Sequence, residues 1–249
     1  MKEIIEHYLR SNGFRTFCPK AVLFDMDGVL FDSMPNHARS WHEAMKQCGI
    51  QMAPSEAYVY EGMRGVETIR LKAREQWQRE ISDEEAQQMY EVKTRIFSSC
   101  PPAKKMTGVE SLMRHIKSCG MKIGVVTGSG QHSLLQHLEQ AFPGLLHKEL
   151  MVTSFDVRQG KPNPEPYIVG LQKCGVSPWE AIVIENAPLG VRAAVAAHVF
   201  TIAVNTGPLS DRQLAAEGAN VVFKTMSDVE AVWNQLVSPP VPHPSVCHE

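Results

Sequence analysis

Four short groups of polar residues have the types needed for phosphoryl transfer, and each comes after a short apolar run. In chain order they are Asp25-Met26-Asp27-Gly28-Val29, Thr127-Gly128-Ser129, Gly160-Lys161-Pro162 and Glu185-Asn186. A continuous apolar run is typical of a strand that is buried on both faces of a parallel sheet. Ligands of such sheets bind at the carboxyl ends of the strands. The sequence therefore predicts that these groups meet at one edge of one sheet.

Each residue type suits one part of that chemistry. Asp25 is suited to be the nucleophile that forms an aspartyl-phosphate, and Asp27 could protonate the leaving oxygen and later activate the acceptor. A carboxylate and a phosphate repel each other, so Lys161 and Mg²⁺ would have to supply positive charge. Mg²⁺ favours oxygen ligands, which Asp25 and Glu185 could provide. The hydroxyl group of Thr127 could donate a hydrogen bond to a phosphoryl oxygen.

The elements that position these residues alternate between strands and helices. Strands are predicted over Ala21–Phe24, Lys122–Val126, Leu150–Val152, Ala181–Ile184, Phe200–Val204 and Val221–Phe223. Helices are predicted over Lys2–Arg10, Asn36–Cys48, Val66–Arg79, Asp83–Ser98, Gln131–Ala141, Glu165–Cys174, Leu189–Ala197 and Ser227–Leu236. This alternation indicates an α/β fold with a doubly wound, Rossmann-like parallel sheet.

The alternation is interrupted once, after the first strand, by a segment without any strand-like run. The predicted organisation is an N-terminal helical extension over 1–19, a core domain over 20–33 and 107–237, an inserted all-helical cap domain over 34–106, and a disordered tail over 238–249. The tail is predicted from its many prolines.

Composition excludes several classes of protein. The net charge of −2 provides no basic surface for nucleic acid, and no apolar run is long enough to span a membrane. The six cysteines form no CxxC pair, which fits reduced thiols in the cytoplasm. We therefore expect a cytoplasmic enzyme, monomeric, with a small-molecule substrate and with no nucleic-acid or membrane partner.

The four motifs together resemble the haloacid dehalogenase superfamily. The resemblance covers about residues 20–237 and is carried by Phe24-Asp25-Met26-Asp27-Gly28-Val29-Leu30, Val126-Thr127-Gly128-Ser129, Gly160-Lys161-Pro162-Asn163-Pro164-Glu165, and Val183-Ile184-Glu185-Asn186-Ala187-Pro188-Leu189-Gly190-Val191. The helical insert after the first motif is similar to the cap of the β-phosphoglucomutase-like branch. The resemblance implies Asp25 as nucleophile, Asp27 as acid/base, and Mg²⁺ held by Asp25, the Asp27 carbonyl and the fourth motif.

The fourth motif departs from the two acids that are common in the branch, because Asn186 follows Glu185. An amide oxygen can still bind Mg²⁺, but the site loses one negative charge, so weaker metal binding is expected. Either side chain could be the direct ligand.

The choice between a mutase and a phosphatase depends on residues of the helical insert. His37 is similar to a mutase histidine that pairs with the acid/base aspartate, and Arg64 is one position away from a mutase arginine that grips a distal phosphate. Gly128 and Ser129 complete the residues expected to bind phosphate or substrate. The leading hypothesis is Mg²⁺-dependent, β-phosphoglucomutase-like transfer on a small sugar phosphate, and the alternative is a sugar-phosphate phosphatase.

Three alternatives from other classes fit the sequence less well. A catalytically silent relative that only binds its ligand would not need Asp25, Asp27, Thr127 and Lys161 together. A receiver-like signalling domain would need only about half of this chain. A dinucleotide-binding enzyme is disfavoured because Gly128-Ser129-Gly130-Gln131-His132-Ser133 lacks the third glycine of the fingerprint.

Overall fold

A single sheet of parallel strands forms the centre of the molecule in the computed structural model, which describes residues 1–129 and 132–237. The predicted disordered tail, 238–249, lies outside the described residues. The strands are β1 (Ala21–Phe24), β2 (Lys122–Val126), β3 (Met151–Val152), β4 (Ala181–Glu185), β5 (Phe200–Val204) and β6 (Val221–Phe223). Their order across the sheet is β3-β2-β1-β4-β5-β6, so the chain winds outward from β1 in both directions. The predicted α/β fold class is confirmed.

Helices cover the sheet and form the insert. They are α1 (Lys2–Asn12), α2 (Met34–Gln47), α3 (Glu56–Val59), α4 (Gly65–Trp77), α5 (Asp83–Ser98), α6 (Val109–Ser118), α7 (His132–Ala141), α8 (Glu165–Cys174), α9 (Pro188–Ala196), α10 (Asp211–Ala216) and α11 (Met226–Val237). The sequence patterns did not predict α3, α6 and α10. The predicted third strand is shortened, because Leu150 ends a 3-10 helix.

Burial on both faces explains the continuous apolar runs. In β1, Val22 and Phe24 belong to the larger hydrophobic cluster on one face of the sheet, whereas Ala21 and Leu23 belong to the cluster on the other face. Successive side chains of a strand point to opposite faces. All four residues must therefore be apolar, and all four are completely buried.

The helical insert, formed by α2 to α5 between β1 and α6, has a hydrophobic cluster of its own. Its largest buried side chains include Trp41, Met45 and Ile69. Two adjacent chain segments connect the insert to the core: the Asp32 amide donates to the Lys104 carbonyl, and the Met106 amide donates to the Leu30 carbonyl. An all-helical insert is therefore confirmed, while the boundaries at 34 and 106 stay predictions.

The N-terminal helix α1 packs at the amino ends of the strands. Tyr8 is 2% exposed, and its ring contacts the ring of Phe200, the first residue of β5, with centroids 5.3 Å apart. The Tyr8 hydroxyl donates to the carbonyl oxygen of His198 at 2.9 Å. The helix is therefore part of the core packing, at the end of the sheet opposite Asp25. Within the described ranges, no helix combines the length and apolar character needed to cross a membrane.

Candidate active site

The register of the sheet brings the ends of β1, β2 and β4 together. Phe24 lies beside Val125 of β2 and Ile184 of β4, and the Asp25 amide continues the ladder by donating to the Ile184 carbonyl at 3.0 Å. As a result, Asp25 emerges at the carboxyl edge between the second and fourth motifs. This is the arrangement that the parallel alternation predicts.

Lys161 connects the motifs at this edge. Its Nζ donates to Oδ1 of Asp25 at 2.5 Å, to Oε1 of Glu185 at 2.6 Å and to the Val126 carbonyl at 3.1 Å. The lysine is 2% exposed and Asp25 is 4% exposed. The three donated bonds satisfy the ammonium group completely. Two of them also pair its charge with a carboxylate, which offsets the cost of burying a charge.

Glu185 acts as a structural support for this cluster. Oε1 accepts hydrogen bonds from Lys161 and from the Tyr167 hydroxyl at 2.8 Å. Oε2 accepts from the amides of Asn186 at 2.8 Å and Ala187 at 3.1 Å. A Cβ atom on Gly190 would lie 1.7 Å from Oε1, so only glycine leaves room for this carboxylate.

Burial and charge set the protonation of this cluster. Burial and the Glu185 carboxylate raise the pKa of Asp25, and Lys161 lowers it by a smaller amount. The resulting pKa of Asp25 is about 8. Burial alone would lower the pKa of Lys161, but the carboxylates of Asp25 and Glu185 raise it well above its usual value. Lys161 therefore stays positively charged between two acids.

Two oxygen atoms at this edge fit a Mg²⁺ ion. Oδ2 of Asp25 and Oδ1 of Asn186 are buried, and neither has a hydrogen-bond partner within the described ranges. Such atoms are rare because they lose their hydration without compensation, and hard oxygen ligands are what Mg²⁺ prefers. Glu185, by contrast, uses both of its oxygens. Asn186 rather than Glu185 therefore fits the role of direct ligand.

Asp27 is held by polar neighbours on its other side. The Ser33 hydroxyl donates to Oδ1 of Asp27 at 2.5 Å, and Nε2 of His37 lies 3.3 Å from the same oxygen. Lys93 of α5 lies 3.2 Å from Nδ1 of His37. Because an ammonium group has only donors, His37 accepts at Nδ1 and carries its proton on Nε2, which donates to Asp27.

The pKa values of Asp27 and His37 are both lowered. Burial alone would raise the pKa of Asp27, but His37 and Ser33 outweigh it and lower that pKa. Burial lowers the pKa of His37, and the nearby Lys93 ammonium lowers it further. The arrangement therefore favours an ionised Asp27 beside a neutral imidazole.

A cavity of about 210 Å³ lies between the core and the helical insert. The core contributes Met26, Asp27, Phe31, Ser33, Gly128, Ser129 and His137, and the insert with its flanking loop contributes His37, Trp41, Tyr60, Glu61, Gly62, Met63, Gly65, Tyr90, Lys93, Thr94, Phe97, Pro102 and Ala103. Glu61 and Lys93 were not predicted as site residues. Lys93 could have been recognised in the sequence because it lies four residues after Met89, on the face of α5 that is buried. A lysine on a buried helical face indicates a polar role.

The loop after β2 lies next to Lys161. The Oγ1 atom of Thr127 accepts a hydrogen bond from the Ser129 amide at 3.1 Å, and Thr127, Gly128 and Lys161 line a small pocket. A Cβ atom on Gly128 would lie 3.3 Å from the carbonyl oxygen of Gly62. The loop of the helical insert therefore lies directly against this phosphate-binding candidate.

Arg64 points away from the cavity that contains Asp27. Its Nη1 donates to the carbonyl of Arg158 at 3.2 Å. Its Cγ lies so close to Gly160 that a Cβ atom added to this glycine would be 2.9 Å away. It lines the small pocket rather than the larger one. In this structure Arg64 therefore joins the helical insert to the loop before Lys161.

Comparisons with known proteins agree with this geometry. The family model described as haloacid dehalogenase-like hydrolase matches residues 22–204, a range that includes all four motifs. The chain belongs to the haloacid dehalogenase-like hydrolase family. A solved structure from Bacteroides vulgatus, named provisionally as a beta-phosphoglucomutase, matches with a TM-score of 0.91 and 51% identity, covering 94% of this chain and 96% of that chain.

Two curated relatives of this chain are named for different activities. Hexitol phosphatase A of Escherichia coli (strain K12) is 31% identical over 190 residues, which are 75% of this chain and 83% of the phosphatase. Beta-phosphoglucomutase of Bacillus subtilis (strain 168) is 25% identical over 228 residues, which are 84% of this chain and 91% of the mutase. The predicted superfamily, its β-phosphoglucomutase-like branch and the prediction of an enzyme are confirmed, with sugar phosphatase or phosphomutase activity supported.

Proposed function

We propose that this haloacid dehalogenase-like enzyme hydrolyses a small sugar phosphate through a phospho-enzyme on Asp25. The observation that carries the proposal is the division of the Asp25 carboxylate. Oδ1 accepts from Lys161 at 2.5 Å, while Oδ2 has no hydrogen bond within the described residues. One oxygen is thus beside the cation that a phosphoryl group needs, and the other is available to a metal.

The reaction has two balanced steps. In the first, Asp27 takes up the proton that the phosphate monoester monoanion brings into the site; Oδ1 of Asp25 then bonds to phosphorus as the ester P–O bond breaks, and Asp27 passes this proton to the leaving alkoxide. In the second, Asp27 takes a proton from water as the water oxygen bonds to phosphorus and the bond to Asp25 breaks, releasing inorganic phosphate. When bound, Mg²⁺ would be held by Asp25, the Asp27 carbonyl and Asn186 and would supply positive charge at the transferring phosphoryl group.

The remaining residues bind and orient in this proposal. The Thr127 hydroxyl and the Gly128 amide donate to phosphoryl oxygens, and Ser129 contributes to the cavity wall. Lys161 balances the charge of the nucleophile and of the phosphoryl group. His37 and Ser33 keep the Asp27 carboxylate directed towards the leaving oxygen.

A second candidate is transfer to another hydroxyl group of the sugar, as in a phosphomutase. It is favoured by the contact between His37 and Asp27 and by the names of the Bacteroides vulgatus and Bacillus subtilis relatives. However, passing the phosphoryl group to a sugar monophosphate produces a bisphosphate, so the cavity would need positive charge for a second phosphate. Lys93, the cavity's cationic side chain among the described residues, already contacts His37. We therefore place water first as acceptor.

The deciding experiment follows phosphorus by NMR. The protein is mixed with Mg²⁺ and β-glucose 1-phosphate, with a trace of glucose 1,6-bisphosphate, and in parallel with a panel of hexose and hexitol phosphates. Accumulation of free phosphate supports hydrolysis, whereas glucose 6-phosphate with little free phosphate supports the mutase. An Asp25→Asn variant that turns over at the wild-type rate would overturn the mechanism for both candidates.

We also propose that the enzyme acts as a monomer in the cytoplasm. No nucleic-acid or membrane partner is proposed, because a net charge of −2 offers no overall attraction to nucleic acid or to an anionic membrane surface. Sedimentation at micromolar concentration tests the monomer.

A further inference from the structure

Glu61 brings a carboxylate into the cavity from the helical insert. It lies in the short connection between α3 and α4, is half-buried, and lines the cavity together with Asp27 and Lys93. None of the hydrogen bonds or ion pairs found between described residues involves its carboxylate, although Lys93 and Lys161 act on it electrostatically. A carboxylate in a cavity without a bonded partner is available to a ligand.

Two carboxylates, Asp27 and Asp25, and two ammonium groups, Lys93 and Lys161, act on Glu61. Burial raises its pKa, and the carboxylates of Asp27 and Asp25 raise it further, so that it lies well above the usual value. Lys93, the cationic side chain of the described cavity lining, lies 3.2 Å from Nδ1 of His37; burial lowers its pKa, and the carboxylates of Glu61 and Asp27 oppose this. Glu61 can therefore accept a hydrogen bond when ionised or donate one when protonated, but it offers positive charge in neither form.

The walls beside Glu61 are largely aromatic and apolar. Tyr60, Met63, Tyr90 and Trp41 belong to this part of the lining. Such a surface, with a few placed polar groups, is typical of sites for small organic ligands. It suits the C–H faces of a sugar or polyol, whereas a phosphate group would lose its hydration there without gaining a cation.

We propose that Glu61 is a specificity-determining residue that binds hydroxyl groups at the end of the substrate away from the transferred phosphate and rejects substrates with a second phosphate there. The inference rests on the proposed function, which places the first phosphate beside Asp25. Hydroxyl groups both donate and accept hydrogen bonds, so they match a carboxyl group in either protonation state. A second phosphate dianion would meet the Asp27 carboxylate and a Glu61 carboxyl group that supplies no positive charge in either protonation state, and an uncompensated like charge disfavours the wrong ligand.

Binding without turnover tests this separately from the reaction. In an Asp25→Asn background with Mg²⁺, dissociation constants are measured by calorimetry for glucose 6-phosphate and glucose 1,6-bisphosphate. We expect the monophosphate to bind at least about tenfold more tightly. Adding Glu61→Lys is expected to shift the ratio of the two constants at least about tenfold towards the bisphosphate, and adding the near-isosteric Glu61→Gln about threefold.

The matched control is Glu67→Lys, which makes the same charge change at an exposed position of α4 and should leave the ratio within about twofold. Tighter binding of the bisphosphate by the parent, or the same ratio in Glu61→Lys, Glu61→Gln and the parent, would overturn the inference. In the wild-type background, hydrolysis of p-nitrophenyl phosphate reports the proposed function by itself, because this ester has no sugar hydroxyl groups. Aryl phosphate hydrolysis with an unmoved binding ratio therefore contradicts only the role of Glu61.

Discussion

Lys161 and Asp25 form an ion pair, with Nζ 2.5 Å from Oδ1, in which the second carboxylate oxygen of Asp25 stays unbonded within the described ranges. The lysine also reaches Glu185 at 2.6 Å, so a single cation separates two buried acids. The same residue therefore has to neutralise the nucleophile and to stabilise the fold. These two tasks can be measured separately.

Replacing Lys161 by Met is expected to lower kcat by about 10²–10³-fold, because a preorganised charge at the transferring phosphoryl group is lost. It should also lower the free energy of unfolding by about 3–5 kcal/mol, because Asp25 and Glu185 are left as buried, uncompensated carboxylates. Steady-state kinetics with an aryl phosphate and urea unfolding measure the two effects. The exposed Lys148→Met is the control, and a Lys161→Met protein as stable and active as that control would contradict this role.

The Asn186→Asp variant should bind Mg²⁺ about tenfold more tightly, since it places a carboxylate where the unbonded Oδ1 now lies. Calorimetric titration of the substrate-free protein measures this without turnover. Asn220→Asp adds the same charge near the amino end of β5, where Oδ1 accepts from the Thr201 amide, and should leave the Mg²⁺ affinity unchanged. Equal affinity in the wild type and Asn186→Asp would argue against Asn186 as a ligand.

The Lys93→Met variant should raise the pKa of His37. In the wild type, burial and the Lys93 ammonium both lower this pKa, while Asp27 raises it. Removing the ammonium leaves Asp27 as the main charged neighbour, so the imidazolium form persists to higher pH than in the wild type. Proton–nitrogen NMR of the His37 ring across pH 4–9 measures the shift, at about the pH where histidines ordinarily titrate.

The control for that variant is Lys46→Met, at an exposed position of α2, which should leave the His37 titration unchanged. Because His37 positions Asp27, kcat of Lys93→Met should also fall by about tenfold or more. A His37 pKa that moves down, or does not move, would show that Lys93 does not act on the imidazole.

Helix α1 should stabilise the fold without contributing to catalysis. The Tyr8→Ala variant is expected to lower the free energy of unfolding by about 3–5 kcal/mol through the cavity left beside Phe17 and Phe200. Tyr8→Phe, which removes only the hydroxyl that donates to the carbonyls of His198 at 2.9 Å and Pro178 at 3.3 Å, should cost about 1 kcal/mol. Urea unfolding separates the two values, and kcat of Tyr8→Phe should match the wild type because the helix packs at the far end of the sheet.

The core of the fold could be predicted from the sequence because its strands are apolar on both sides. β1 and β2 begin and end as predicted, at Ala21–Phe24 and Lys122–Val126. The short helices α3, with 4 residues, and α10, with 6, escaped prediction, because one turn or two cannot establish a period. Helix α6 was missed although its buried Val109, Leu112, Met113 and Ile116 follow helical spacing.

The meeting of Asp25, Thr127, Lys161 and Glu185 at one edge follows from the order of strands and motifs along the chain, because parallel strands align their carboxyl ends whatever surrounds them. The sequence left open which side chain after β4 fits the metal and which groups of the helical insert face the substrate. These points depend on how the segments pack in three dimensions. One oxygen of Glu185 is occupied by Lys161 and Tyr167, which belong to another segment of the chain, and Glu61, Lys93 and Arg64 are directed by how the insert packs on the core. On a helix, a shift of one residue turns a side chain by about 100°, which no local pattern can resolve.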